Sequence, residues 1–254
     1  MTKRFPQYHS EEQHATDLHD LLIPNADGPA RKLQDYSSSF DNVKVDVYFR
    51  DLQTRLVELI SEADIVLGSV AWLTSFPILD ALAKTYSSHI VVQKEDFLRP
   101  DTNSGSDWNR KLHEKYNAIP SRITRDHPSL SGTALYNMSY LGDPAIQSAR
   151  CVGNYNREKA AASPRAHNKF IIFCKKTIDF PGASPIEIRF SPYAVWTGSF
   201  NFTTNATRSF ENAILMHGKD IAMPFFREWA QISALSEPLN WGYDWVAPEH
   251  RIGS

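Results

Sequence analysis

Residues 43–73 read VKVDVYFRDLQTRLVELISEADIVLGSVAWL, and two hydrophobic periodicities follow each other within them. VKVDVYF alternates apolar and polar residues, as a half-buried strand does. The next segment places Leu52, Leu56, Val57 and Ile60 on one face of a helix. IVLGSVAWL is a short continuous apolar run, which is typical of a strand covered on both sides. This stretch therefore predicts a strand, a helix and a second, buried strand.

The alternation continues along the chain. TSFPILDALAKTYSS begins with Thr74 or Ser75 as a helix N-cap and has Pro77 in the first turn, and HIVVQKED then follows as a strand. Later segments predict the strands KFIIFC, PIEIRF and YAVWTGSF and the amphipathic helix KDIAMPFFREWAQISAL. Strands that alternate with helices predict an α/β fold.

Two regions lie outside this rhythm. Residues 1–41 are polar and are interpreted as an N-terminal extension to one domain spanning 42–254. Within that domain, 97–143 is interpreted as an insertion, because Pro, Asn, Gly and Ser clusters surround a single helical candidate, SDWNRKLHEKYN. Its Trp108, Leu112 and Tyr116 recur at helical spacing, which favours packing against a core. A segment this long often forms a lid or binding element, so it is expected to shape a substrate groove.

Composition excludes several classes of protein. The 254 residues carry a net charge of −2, so any site for a polyanion must be local. Cys151 and Cys174 are too few for a disulfide framework and match no zinc-binding spacing. No stretch reaches the roughly 18 apolar residues that suggest a membrane span, and the N-terminus has no signal-peptide core. A soluble, cytoplasmic protein is expected.

One group of residues carries chemistry. RAHNKFIIF, residues 165–173, places His167 and Lys169 at the start of a predicted strand. VWTGSFNFTTNATRSFENAIL then places Ser199, Asn201 and Glu211 where a later strand gives way to a loop. Together they supply a nucleophile, a cationic clamp, two oxyanion donors and an orienting carboxylate, which is an inventory suited to a phosphodiester.

Each of these residues also has an ordinary structural interpretation. His167 and Lys169 could line a solvated strand edge, and a second H-x-K string at 113–115 shows how little the pair means alone. Ser199 and Asn201 are residues that turns use, and Glu211 could be a surface acid. Their joint order, between predicted strands, favours a catalytic set.

The order H-x-K followed by G-S-x-N resembles the motif of the phospholipase D superfamily. The similarity extends over residues 43–96 and 145–236, and it implies a mixed β-sheet flanked by helices on both faces. One position departs from the family pattern: the aspartate of H-x-K-x4-D is Cys174 here, and the nearest acid is Asp179. In the family this aspartate supports the site from outside the reacting centre.

The resemblance implies a metal-independent mechanism without a cofactor. Single-motif members pair as homodimers, so one His167 would form a phosphohistidine and the other would protonate the leaving oxygen. Lys169, Ser199 and Asn201 would stabilise the phosphate oxygens, and Glu211 would orient the neighbouring histidine.

The substrate is suggested by a basic stretch. Residues 144–176 contain seven Lys or Arg and one Glu, a net charge of +6. The residues expected to bind substrate are Arg150, Arg157, Lys159 and Arg165. Such a stretch favours nucleic acid over a merely solvated face, and the expected function is that of an endonuclease acting on DNA or RNA. The alternatives are a phospholipid-cleaving enzyme and an inactive nucleic-acid-binding module. Whether a protein partner regulates the activity is left open.

Overall fold

The protein is described from a computed structural model, which covers residues 18–23, 29–35, 41–99, 107–125, 136–138, 147–158, 163–179 and 187–248. Its strands, in chain order, are β1 (Leu22–Ile23), β2 (Arg31–Lys32), β3 (Lys44–Tyr48), β4 (Ile65–Val70), β5 (Ser87–Gln93), β6 (Ile123–Arg125), β7 (Tyr136–Met138), β8 (Ala149–Val152), β9 (Lys169–Asp179), β10 (Glu187–Gly198) and β11 (Ala213–His217). Its α-helices are α1 (Leu52–Glu62), α2 (Phe76–Leu82), α3 (Asp107–Ala118) and α4 (Lys219–Ala234).

Seven of the strands form one mixed sheet in the order β3-β11-β10-β9-β4-β5-β8. The strands β4, β5 and β8 are parallel to one another, while β9 is antiparallel to both of its neighbours, β4 and β10. The segment 43–73 folds into the elements that its two periodicities predict, namely the edge strand β3, the helix α1 and the interior strand β4. The expected half-burial of β3 is wrong, because its apolar residues Val45 and Val47 are 46% and 54% exposed.

The two faces of the sheet pack against different helices because side chains alternate along each strand. On one face, Val66 and Phe173 join a cluster with apolar residues of α1, α2 and α3. On the other face, Leu67 and Ile172 join a cluster with residues of α4, including the fully buried Trp229. The expected α/β fold, with a mixed sheet flanked by helices on both faces, is confirmed.

One predicted boundary is wrong. PIEIRF and YAVWTGSF were expected as two strands, but they form the single strand β10. Its register against β9 shifts between Pro192 and Ala194. A bulge accommodates proline in a strand, since a bulged position need not donate to the ladder.

The extension and the insertion both contribute described structure. From the extension, Leu21 and Ile23 are buried against Leu235 and Val246. From the insertion, α3 buries Leu112 and Tyr116 in the cluster with α1 and α2, as their spacing predicted. Trp108 differs, because 43% of it is exposed.

A buried ion pair pins the segment after α4 to the sheet. The Lys94 ammonium, which follows β5, contacts the Glu237 carboxylate, and the two side chains are 0% and 6% exposed. Lys94 Nζ also donates to the backbone oxygens of Tyr243 at 2.8 Å and Trp245 at 2.7 Å. Burial raises the pKa of Glu237, and the adjacent Lys94 opposes that rise. The pair thus holds the C-terminal segment against the end of β5.

Replacing Lys94 by methionine should lower the free energy of unfolding at neutral pH by about 3–5 kcal/mol, because Glu237 would remain buried without its partner. The loss should shrink at acidic pH, where a protonated Glu237 carries no charge. Urea unfolding measures it. The control is Lys115→Met, which breaks the half-exposed pair with Asp80 and should cost about 1 kcal/mol or less. Equal losses in the two variants would contradict this account of the pair.

Candidate functional site

One edge of the sheet collects the predicted site residues. Lys169, the first residue of β9, pairs with Val70 at the end of β4, and Phe170 pairs with Thr197 near the end of β10. Gly198 pairs with Ala213, the first residue of β11. His167, Ser199, Asn201 and Glu211 lie immediately beyond these strand ends. The antiparallel pairing therefore places residues that are up to 44 positions apart in sequence at the same edge.

His167 and Lys169 are in direct contact. Lys169 Nζ lies 3.1 Å from His167 Nε2, 3.2 Å from Nδ1 and 3.1 Å from the His167 backbone oxygen. The pKa of His167 is lowered by burial and then by the charges of Lys169 and Arg165. These effects all favour the neutral imidazole, which is the nucleophilic form.

Glu211 contacts Ser199 and stands close to Lys169. The Ser199 hydroxyl donates to Glu211 Oε2 and accepts a 3.0 Å hydrogen bond from the Asn212 backbone N–H. Burial lowers the pKa of Lys169, and the negative charge of Glu211 opposes that shift. The expected hydrogen bond between Glu211 and His167 is absent from the described part of the chain. Glu211 instead stabilises the charged form of Lys169, and the hydrogen bond from Ser199 positions the Glu211 carboxylate.

Asn201 faces a cavity of about 490 Å³ that Glu211 also lines. Its Oδ1 is buried, and no hydrogen-bond partner for it is found among the described residues. An unpaired buried oxygen is costly unless a bound group satisfies it. Of the five residues expected to form the catalytic set, Asn201 and Glu211 line this cavity. The other three are linked to Glu211: Ser199 donates a hydrogen bond to it, and Lys169, which contacts His167, interacts with its charge.

The sequence did not reveal two residues that contact the segment around His167. The buried side chain of Gln93 accepts a 2.7 Å hydrogen bond from the Ala166 N–H and donates a 2.8 Å bond to the Asn154 oxygen, so it holds the segment that carries His167. Gly153, at φ +92°, leaves room for it, since a Cβ there would collide with Gln93 Oε1. The available signal was a glutamine directly after the apolar residues Ile90, Val91 and Val92 of β5.

Trp72 is the second such residue. Its ring is nearly perpendicular to the His167 ring, with 6.1 Å between the ring centroids, and its Nε1 donates a 3.1 Å hydrogen bond to Glu95 Oε1. In sequence it resembled only the end of a buried apolar run, where nothing distinguishes a core tryptophan from one that lines a site.

The four basic residues that were expected to bind substrate lie in different environments. Arg165 is exposed and close enough to His167 to lower its pKa. Arg157 is exposed and forms a two-bond ion pair with Asp244, at 2.6 and 2.8 Å. Lys159 lies outside the described residues.

The prediction that Arg150 binds substrate is wrong. Arg150 is 1% exposed, and its guanidinium donates to Gln147 and to the side chain and backbone of Ser236. Its position on β8 turns the side chain into the protein, where it serves packing.

Cys174 lies far from the reacting groups. It is fully buried in the cluster with α4, and burial raises the pKa of its thiol well above the usual range. Five residues of strand separate it from Lys169, which is about 17 Å. The residue at this position therefore contacts none of the catalytic set, and a buried carboxylate would be unfavourable among these apolar neighbours.

Within the described ranges, no group of three or more His, Cys, Asp or Glu side chains is placed to hold a metal ion. The helices described there include none with the length and apolarity to cross a bilayer.

Comparison with known proteins gave the following. No protein-family model matches the chain. Uncharacterized protein L381 of Acanthamoeba polyphaga mimivirus is 26% identical over 219 residues, which are 83% of this chain and 72% of that protein.

Three solved structures align with this one. NucT from Helicobacter pylori has a TM-score of 0.48 and 11% identity, over 78% of this chain and 99% of that chain. Nuc from Salmonella typhimurium, a phospholipase D family member, has a TM-score of 0.43 and 18% identity, over 77% and 97%. Polyphosphate kinase from Porphyromonas gingivalis has a TM-score of 0.42 and 13% identity, over 77% and 27%.

Replacing Lys169 by methionine should raise the pKa of His167, because a positive charge next to the imidazole is removed. The pKa should stay below its usual range, since burial is the largest cause of the shift and persists. Titration of the histidine ring signals by NMR measures it. Lys175→Met, six residues further along β9 and about 20 Å away, is the control and should leave the titration unchanged. An unchanged or lower pKa in Lys169→Met would disprove the electrostatic coupling.

Proposed function

We propose that this chain is a metal-independent phosphodiesterase of the phospholipase D type, a nuclease that cleaves DNA or RNA through a covalent intermediate on His167. The observation that carries the proposal is the contact between the His167 ring and Lys169 Nζ at the sheet edge where Ser199, Asn201 and Glu211 also lie. Histidine with a neighbouring cation and polar donors matches the needs of phosphoryl transfer.

His167 is the nucleophile. Its lowered pKa supports the neutral ring at neutral pH, so one ring nitrogen has a free electron pair. That nitrogen attacks phosphorus, the bond from phosphorus to the leaving oxygen breaks, and its electron pair stays on that oxygen. The product is a phosphohistidine that still carries one side of the substrate.

Lys169 and Asn201 stabilise the charge on the non-bridging phosphate oxygens. The ammonium of Lys169 is held beside the imidazole, and Glu211 helps it to remain protonated. The Asn201 side chain supplies an amide at the cavity wall. The single hydroxyl hydrogen of Ser199 is engaged in the hydrogen bond that it donates to Glu211, so Ser199 acts by positioning that carboxylate.

The leaving oxygen needs a proton donor that one copy does not supply, because no second histidine lines the site within the described residues. His167 of a second copy fills this role. It protonates the leaving oxygen and then accepts a proton from water, which attacks phosphorus and breaks the nitrogen–phosphorus bond. The two histidines titrate as a coupled pair.

Phe210 supports such a pairing of copies. It directly precedes Glu211 and is 95% exposed, and the guanidinium of Arg50 lies 5.8 Å from its ring centroid. Phe49, next to Arg50, is 61% exposed. A surface that joins two copies at their histidines would cover these rings and remove them from water.

A phospholipid-cleaving enzyme is the second candidate, and the same rings favour it. Exposed phenylalanines beside a phosphodiester site could enter a lipid surface instead of a second copy. The final helix offers no such surface, because Trp229 is fully buried and Phe226 is 8% exposed. Hydrolysis that requires vesicles and is insensitive to salt would select this candidate, whereas nucleic-acid binding should weaken steeply with salt.

The purified protein should cleave labelled DNA or RNA in excess EDTA, and both His167→Ala and Lys169→Ala should lose at least a hundredfold in rate, because the nucleophile or its charged partner is gone. Lys115→Ala, in the other H-x-K string, is the matched control and should retain the wild-type rate. Binding without turnover, unaffected by His167→Ala, would instead identify an inactive nucleic-acid-binding module.

In solution the protein should have about twice the mass of one 28.8 kDa chain. Phe210→Asp should shift it toward the monomer, because a carboxylate would be buried in the contact. Light scattering coupled to size exclusion measures both. A wild-type protein that is monomeric at the concentrations where it is active would rule out the shared site.

A further inference from the structure

The cavity that Asn201 and Glu211 line also has an aromatic side. Trp72, Phe97 and Trp108 line its 490 Å³, together with polar residues that follow β10. This volume lies in the range of pockets that bind small molecules. The proposed phosphodiester chemistry needs only the groups at the sheet edge, so the aromatic side requires a separate explanation.

Trp72 connects this side to the reacting centre. Its hydrogen bond to Glu95 fixes the ring in one orientation, nearly perpendicular to the His167 ring. A planar group lying against Trp72 would therefore be adjacent to the phosphorus that His167 attacks.

Phe97 and Trp108 come from the start of the insertion. Their ring centroids are 5.9 Å apart and their planes are tilted by 60°. Trp108 occupies the same helical stripe as Leu112 and Tyr116, yet 43% of it is exposed while those two residues are at most 2% exposed. A tryptophan ring that is partly exposed at a cavity wall can bury further apolar surface against a ligand.

The rest of the lining is mostly polar and forms a polar wall. Asn201, Thr203, Thr204 and Asn205 line it, and the Oδ1 of Asn201 is buried without a partner in the described chain. Proteins hold unpaired bases by two features, aromatic rings that stack on the face of the base and polar groups that bind its edge, and this cavity is lined by both.

We infer that this cavity binds an unpaired nucleobase next to the scissile phosphate, and that the protein acts on single-stranded nucleic acid. The inference rests on the proposed phosphodiesterase function and adds the class of substrate. In a duplex both faces of each base are stacked and its edge is paired, so neither wall of the cavity could be used. A lipid chain would leave the polar wall unsatisfied.

Binding of fluorescent single-stranded oligonucleotides tests the inference, in a His167→Ala background so that nothing is cut. Trp108→Ala should weaken binding about tenfold, because base stacking on one aromatic side chain is lost. Binding of a blunt duplex should not change. Tyr243→Ala, which removes an aromatic residue that is 51% exposed outside the cavity, is the matched control and should leave both affinities unaltered.

A scan of single abasic sites along the oligonucleotide sharpens the test. At one position, loss of the base should weaken binding about tenfold with Trp108 present and have little effect in Trp108→Ala, because both changes remove the same contact. Ribose and deoxyribose versions distinguish RNA from DNA. Additive losses at every position, or equal affinity for single strands and duplex, would overturn the inference, as would binding to phosphatidylglycerol vesicles alone. A wild type that binds in this way but cuts no phosphodiester would refute the proposed function and leave the base site standing.

Discussion

The whole site depends on one strand pairing, that of β9 between β4 and β10. Because β9 runs antiparallel to both neighbours, its first residue lies where they end. Lys169 therefore starts beside Gly198, and the residues before β9 and after β10 share one edge of the sheet. The apolar alternation that buries Ile171 and Ile172 on opposite faces fixes this register, since a slip of one residue would exchange the faces. The chemistry follows from the packing of the core.

Charge at this edge is balanced between close neighbours. Lys169 and Arg165 disfavour a proton on His167, and Glu211 favours the proton on Lys169. These interactions favour a neutral imidazole next to a lysine cation, and Ser199 donates a hydrogen bond to the carboxylate that stabilises this cation. The aromatic side of the cavity adds no charge, so it can select a substrate without disturbing the proton balance.

The sequence predicted the sheet and its helices, because alternating burial leaves a pattern in the residues themselves. It also placed the proposed catalytic residues near strand ends, and the strand pairing brings these ends to one edge of the sheet. Contacts between distant segments leave no such pattern in the sequence. Arg150 was expected to bind substrate, but its side chain on β8 is buried. Trp108 was expected to pack in the core, but it is partly exposed at a cavity wall. Glu211 was expected at a histidine and contacts Ser199 instead. Such outcomes depend on side-chain direction in three dimensions, which spacing alone does not determine.

The central claim is that His167 becomes covalently attached to phosphorus. Rapid quenching of the reaction with a short labelled oligonucleotide, followed by proteolysis and mass spectrometry, tests it most directly. The account predicts an adduct on the peptide containing His167 that carries one part of the oligonucleotide, is lost in acid and survives in base, as a phosphorus–nitrogen bond does. Turnover with no adduct under conditions that trap it, or an adduct that persists in His167→Ala, would contradict the account.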